Sequence, residues 1–106
     1  MDIFLTGGTG FIGSHFIERA LRRSHKLKAL KRSKTSKVKI ILKDQPIWLF
    51  KNFSEIEISD LKNYEVLVHM AAHSANFPYD NLENCLYFNV TETLRLFNIA
   101  YSAGIR

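Results

Sequence analysis

The sequence predicts an α/β domain: a partial, doubly wound parallel sheet of about four strands with flanking helices. Three observations carry this. A short apolar strand pattern runs straight into a cluster of glycines, an amphipathic helical pattern follows it, and further strand patterns are closed by a long helical stretch. Strand, helix, strand, loop, strand, short element, strand and long helix is an order that demands right-handed crossovers.

Asp2–Thr6 (DIFLT) is apolar and bounded by glycine, as a strand buried on both faces should be. After Gly13, the residues Ile12, Phe16 and Ala20 fall four apart with Ile17 and Leu21 one step on, which predicts a helix to about Ser24. His25–Leu30 alternates polar and apolar residues as a second strand, and Ser33–Lys39 is polar enough for a mobile loop. Pro46 introduces a third strand over Ile47–Phe50. Ser54 and Glu57 have capping-box spacing ahead of a turn or brief helix to Asn63, and Glu65–Met70 forms the fourth strand. Asp80 and Glu83 suggest a second capping box for a helix over Asn81–Ser102, ended by Gly104. On it, Leu86, Val90, Phe97 and Tyr101 mark one side; Leu82, Cys85, Phe88, Leu96 and Ile99 widen the apolar surface.

At 106 residues the chain is at most one domain and is short for a complete doubly wound fold, which predicts a fragment. No apolar run approaches the ~18 residues of a membrane span, and Met1–Leu5 lacks the basic flank of a signal peptide. With Cys85 as the lone cysteine, no intrachain disulfide can form, and the expectation is a cytoplasmic protein without a membrane partner. Of the net +5 charge, eleven Lys or Arg lie between Arg19 and Lys43, with no Asp or Glu among them. A solvated surface, a cofactor-phosphate contact and a nucleic-acid footprint all fit such a block. The lack of aromatic residues between Phe16 and Trp48 argues against a stacking surface for nucleic acid.

Gly7-Gly8-Thr9-Gly10-Phe11-Ile12-Gly13 carries G-x-x-G-x-x-G between a predicted strand and a predicted helix, the context that gives the pattern meaning. Gly7 permits the sharp turn, a side chain at Gly10 would obstruct a pyrophosphate, and Gly13 lets helix and strand approach. Phosphates would face backbone N–H groups at the positive end of the helix, around Phe11 and Ile12. This is a Rossmann-type signature for NAD(P), and the missing Lys-Ser/Thr ending excludes a P-loop. At the end of the second strand, where a carboxylate would hold the ribose of NAD, stand Lys31 and Arg32, a charge pattern that favours NADP.

The run TGGTGFIGS (Thr6–Ser14), with VLVHMAA (Val66–Ala72) and NVTETLRLFNIAYSAGIR (Asn89–Arg106), resembles the NAD-dependent epimerase/dehydratase family of extended short-chain dehydrogenases/reductases. ALKRS (Ala29–Ser33) is similar to the second-strand ending of sugar-nucleotide-modifying relatives. The resemblance implies that residues 1–106 are the N-terminal NAD(P)-binding subdomain of a longer oxidoreductase. Met70, Ala71 and Ala72 then pass beside the cofactor, Asn89 stands at a family asparagine, and the long helix serves homodimer pairing. A sugar nucleotide would be the substrate of the full-length enzyme only. Asn52 and Phe53 stand where many relatives place an adenine-contacting Asp, so that contact is open.

In that family a Tyr-x-x-x-Lys pair moves the proton that accompanies hydride transfer, the lysine lowering a phenol pKa that is otherwise ~10. Four residues after Tyr64, Tyr79, Tyr87 and Tyr101 stand Val68, Glu83, Thr91 and Ile105, so no catalytic residue is assigned. His69 and His73 lack partners for a metal set, Ser14 beside His15 lacks an acid, and Cys85 lies in an apolar helical pattern; no metal site is expected. A noncatalytic nucleotide-binding or interaction module is the alternative function, and a basic nucleic-acid-binding domain ranks below both.

Overall fold

The computed structural model describes residues 1–105; Arg106, the end of the predicted C-terminal match, lies outside them. Element order is β1 (Asp2–Thr6), α1 (Phe11–Arg22), β2 (Lys26–Lys31), β3 (Ile47–Phe50), a 3-10 turn (Phe53–Glu55), α2 (Ile58–Leu61), β4 (Val66–His69), α3 (Leu82–Leu86), a π-helical segment (Tyr87–Thr91) and α4 (Glu92–Ser102). The four strands form one parallel sheet in the order β3-β2-β1-β4. The chain winds outward from β1 to β3 and then returns to the other side of β1. Strand order therefore reverses between β1 and β4, the point at whose C-terminal edge α/β sheets open a crevice.

Both faces of β1 are covered, because alternate side chains enter two cores. Ile3 and Leu5 join Ile17 and Ala20 of α1 with Leu27, Ala29 and Leu42. Phe4 joins Leu30, Ile56, Leu61, Leu96, Ala100 and Ile105 on the opposite face. The basic loop after β2 is irregular but anchored: Leu42 is buried, and Lys39 N donates to Thr9 O at 3.1 Å, tying the loop to the glycine turn.

Several local expectations are corrected. Helix α1 begins at Phe11, ahead of Gly13. The capping boxes are Asn52 with Glu55 and Glu57 with Asp60; Ser54–Glu57 is not one of them. Asn81, not Asp80, caps α3, its side chain accepting from Asn84 N at 2.8 Å. The single long helix is interrupted by the π segment, and the rotation this introduces changes which residues are buried. Leu86, Val90, Phe97 and Tyr101 are exposed, while Glu92, Leu96 and Ala100 face the sheet. Among the described residues, no helix is long and apolar enough to cross a membrane.

Leu96 is fully buried between α4 and the sheet. Leu96→Ala should therefore destabilise the chain by about 3 kcal/mol, read as a lower urea midpoint, whereas Leu94→Ala on the exposed side should change it by ~0.5 kcal/mol or less.

Candidate functional site

The glycine turn joins β1 to α1, and its glycines answer to different constraints. Gly7 has φ +77°, and a Cβ there would lie 2.5 Å from Ala71 N, so the turn backs directly onto the exit of β4. A Cβ on Gly13 would lie 2.0 Å from Gly7 O. Gly8, which sequence reasoning passed over, is buried against Leu5, Ile17 and Ala29, and a Cβ would come within 2.9 Å of Ile17 Cδ1. Gly10 differs from all three. Its backbone is extended (φ −73°, ψ 173°), and a Cβ would meet only Gly7 O, at 3.4 Å. Neither conformation nor internal packing demands glycine there, and the space beside it is open.

Phe11 and Ile12 open α1 with their side chains exposed. Their N–H groups and that of Gly13 belong to the first helical turn, which lacks acceptors of its own within the helix. The arrangement presents donors and the positive helix end beside the open space at Gly10, suited to an anion.

A cleft of about 400 Å³ opens at the C-terminal edge of the sheet, bordered by Arg32, Phe53, Ala71, Ala72, His73 and Asn89 among others. Three polar connections shape it. Thr6, fully buried, accepts from Ala71 N at 3.3 Å and bonds His69 Nδ1, and His69 Nε2 lies 3.3 Å from Thr93 Oγ1. The donors close consistently with a neutral imidazole: the Thr6 hydroxyl donates to Nδ1 and Nε2–H donates to Thr93. Phe53 stacks on this ring at 5.2 Å. Asn89 holds the backbone of His73 from both sides, accepting from its N at 2.8 Å and donating to its O at 2.9 Å. His73 Nε2 in turn donates to Asp80 Oδ2 at 2.8 Å; that hydrogen bond, with those from Asn81 N and Asn84, holds the Asp80 carboxyl below its usual range.

Of the expected residues, Arg32, Ala71, Ala72 and Asn89 border this cleft, whereas Gly7, Gly10, Phe11, Ile12 and Gly13 of the glycine turn, with Lys31 and Met70, are not among the residues that border it. Arg32 borders the cleft, whereas Lys31 places Nζ 4.8 Å from the Trp48 ring centroid. Strand alternation explains the split, since Lys31 follows Ala29 onto the α1 face and Arg32 follows Leu30. Met70 packs against the α1-side core, leaving Ala71 and Ala72 to line the cleft. Asn89, from the π segment, spends both ends of its amide on His73. Among the described residues no group of three His, Cys, Asp or Glu is placed to hold a metal.

The model for the NAD dependent epimerase/dehydratase family matches residues 3–106. The sterol-4-alpha-carboxylate 3-dehydrogenase, decarboxylating, of Dictyostelium discoideum is 30% identical over 99 residues, covering 92% of this chain and 30% of that protein. A putative dihydroflavonol 4-reductase of a Synechocystis strain is 29% identical over 104 residues, 96% of this chain and 29% of its own. The solved structure of MoeE5 in complex with UDP-glucose and NAD superposes with a TM-score of 0.79 at 26% identity, over 99% of this chain and 34% of that one. The chain thus spans 30% and 29% of the length of these curated relatives.

Two predictions follow from the geometry. Gly13→Ala should destabilise the fold by about 2 kcal/mol or more, because backbone must move, while Gly10→Ala should stay within ~0.5 kcal/mol, both read by urea unfolding. Burial lowers the His69 pKa from its ordinary 6.5. Below that pH the unfolded chain takes up a proton that the folded chain resists, so stability is full above about pH 6.5 and is lost as the pH falls. A urea midpoint that declines from pH 7 to 5, and declines less in His69→Gln, is the expected result.

Proposed function

The chain belongs to the NAD dependent epimerase/dehydratase family, and on that premise we propose that it is the dinucleotide-binding part of an NAD(P)-dependent oxidoreductase. The observation that carries the proposal is the open space at Gly10, unexplained by the chain's own packing and bordered by the N–H groups of α1's first turn. A pyrophosphate fits the donor set there. Gly7 and Gly13 shape the turn, Phe11 and Ile12 offer N–H donors, and the backbone of Met70, Ala71 and Ala72 passes beside the cofactor. Asn89 contributes by holding His73 at the cleft.

NADP is the favoured form, and Arg32 carries that preference, because a guanidinium can take a phosphate bidentately at a strand end with no carboxylate. Lys31, drawn onto Trp48, contributes charge at longer range. When bound, the dinucleotide supplies hydride transfer; none of the chain's four tyrosines has a lysine four residues on, so the proton-transfer pair lies elsewhere and the chain alone is not catalytic. A sugar nucleotide is the substrate class proposed for the full-length enzyme, in keeping with the ligand of MoeE5. The exposed Leu86, Val90, Phe97 and Tyr101 suit homodimer pairing, and the lone Cys85 suits the cytoplasm. The missing tyrosine–lysine pair also favours the second reading, a noncatalytic nucleotide-binding module.

Titration with NADH and NADPH tests the proposal. The wild-type chain should bind both, NADPH more tightly and with greater salt sensitivity. Gly10→Val should abolish binding while remaining folded, and Arg32→Ala should weaken NADPH about tenfold with little effect on NADH, Lys31→Ala having the smaller effect. Unchanged binding by a folded Gly10→Val chain would reject the loop assignment.

A further inference from the structure

Arg95 on α4 is far in sequence from the cleft wall, yet it is the residue most heavily bonded to it. Its Nη1 donates to Ile56 O at 3.1 Å, and its Nη2 donates to Phe53 O at 3.3 Å and Ser54 O at 2.8 Å. Its Nε donates to Glu92 Oε2 at 2.9 Å. Burial alone would raise the Glu92 carboxyl, but the hydrogen bonds from Arg95 and Tyr87, together with the Arg95 charge, outweigh it and hold the group below its usual range. The ionised Glu92, buried on α4, thus fixes the guanidinium, whose remaining donors grip three carbonyls of the segment between β3 and α2, which has a single 3-10 turn of its own and is otherwise anchored by Ile56 in the core. That segment supplies Asn52, Phe53 and Ser54 to the cleft and sets the Phe53 ring against His69. Arg95 itself is not among the residues bordering the cleft.

We propose that Arg95 is the positioning residue of the dinucleotide cleft, holding the Phe53–Ile56 wall at binding distance through the carbonyls of Phe53, Ser54 and Ile56 without touching the ligand. The inference rests on the dinucleotide reading of the cleft. Lysine cannot replace it: a compact ammonium on a flexible stem retains the charge beside Glu92 but has no planar fork to span separate carbonyls. Losing the fork loosens the wall at Phe53 and Ser54, while the two hydrophobic cores, one of which holds Ile56 and neither of which includes Arg95, keep the sheet intact.

The test compares the wild-type chain with Arg95→Lys and Arg95→Met, using NADH titration and amide hydrogen exchange on the same samples. Expected in both variants is an affinity about tenfold weaker, the lysine variant no better than twofold above the methionine one, with faster exchange at Glu55 and Ile56 and unchanged exchange in β1. A general loss of protection across β1 and the wall together would reduce Arg95 to an ordinary stabilising residue and overturn the positioning role. Wild-type affinity and exchange in the folded Arg95→Lys chain would overturn it too, leaving the dinucleotide reading intact. A wild-type chain that binds neither NADH nor NADPH would instead remove the dinucleotide reading, and the role with it, even if the exchange pattern followed Arg95.

Discussion

The approach of Gly13 to the carbonyl of Gly7 is the constraint on which the rest depends. Because a Cβ at Gly13 would lie 2.0 Å from that oxygen, α1 can start only where two bare backbones meet. That contact fixes the direction of α1, and with it the covering of one face of β1 by Ile17 and Ala20. It also holds the first-turn N–H groups beside the end of the strand. Packing sets the turn through Gly7 and Gly13, while Gly10, on which the proposed pyrophosphate contact falls, is left open by packing.

The other wall of the cleft is assembled from a distance. Thr6, at the end of β1, reaches His69 and Ala71 at the end of β4, and His69 continues to Thr93 on α4. Asn89 clasps His73, and Arg95 grips the carbonyls after β3. Elements remote in sequence thus converge on the crevice through part-buried and exposed hydrogen bonds. No buried side-chain polar atom among the described residues lacks a partner, so these links are complete.

How far the sequence foretold this differs by element, for physical reasons. β1 and β3 were legible to the residue, because apolar runs closed by glycine or opened by proline leave few alternatives. The glycine turn was legible because its chemistry is local. The capping pairs were misread because several Ser, Asn, Asp and Glu residues share the same three-residue spacing, and only backbone geometry selects Asn52–Glu55 and Glu57–Asp60. Lys31 and Arg32 were read as a pair from adjacency, although strand alternation sends neighbours to opposite faces. Arg95 gave no signal of its carbonyl contacts: those partners lie 39 to 42 residues away, and an Arg on a helix three residues from a Glu reads as a solvated ion pair until the fold brings carbonyls to it.

The π-helical segment Tyr87–Thr91 admits a consequence for how such a chain tolerates change in length. A π segment is in effect one residue added within an α-helix, and each residue of an α-helix advances the phase by about 100°. Here that added residue lets α4 keep Glu92, Leu96 and Ala100 on the sheet while Phe88 and Asn89 still border the cleft. Removing one residue from the segment would restore continuous α-helical phase and swing Phe88 and Asn89 off the crevice or Leu96 off the core. Evolutionary insertion and deletion, usually absorbed by surface loops, would at this place rewrite the geometry of the cleft.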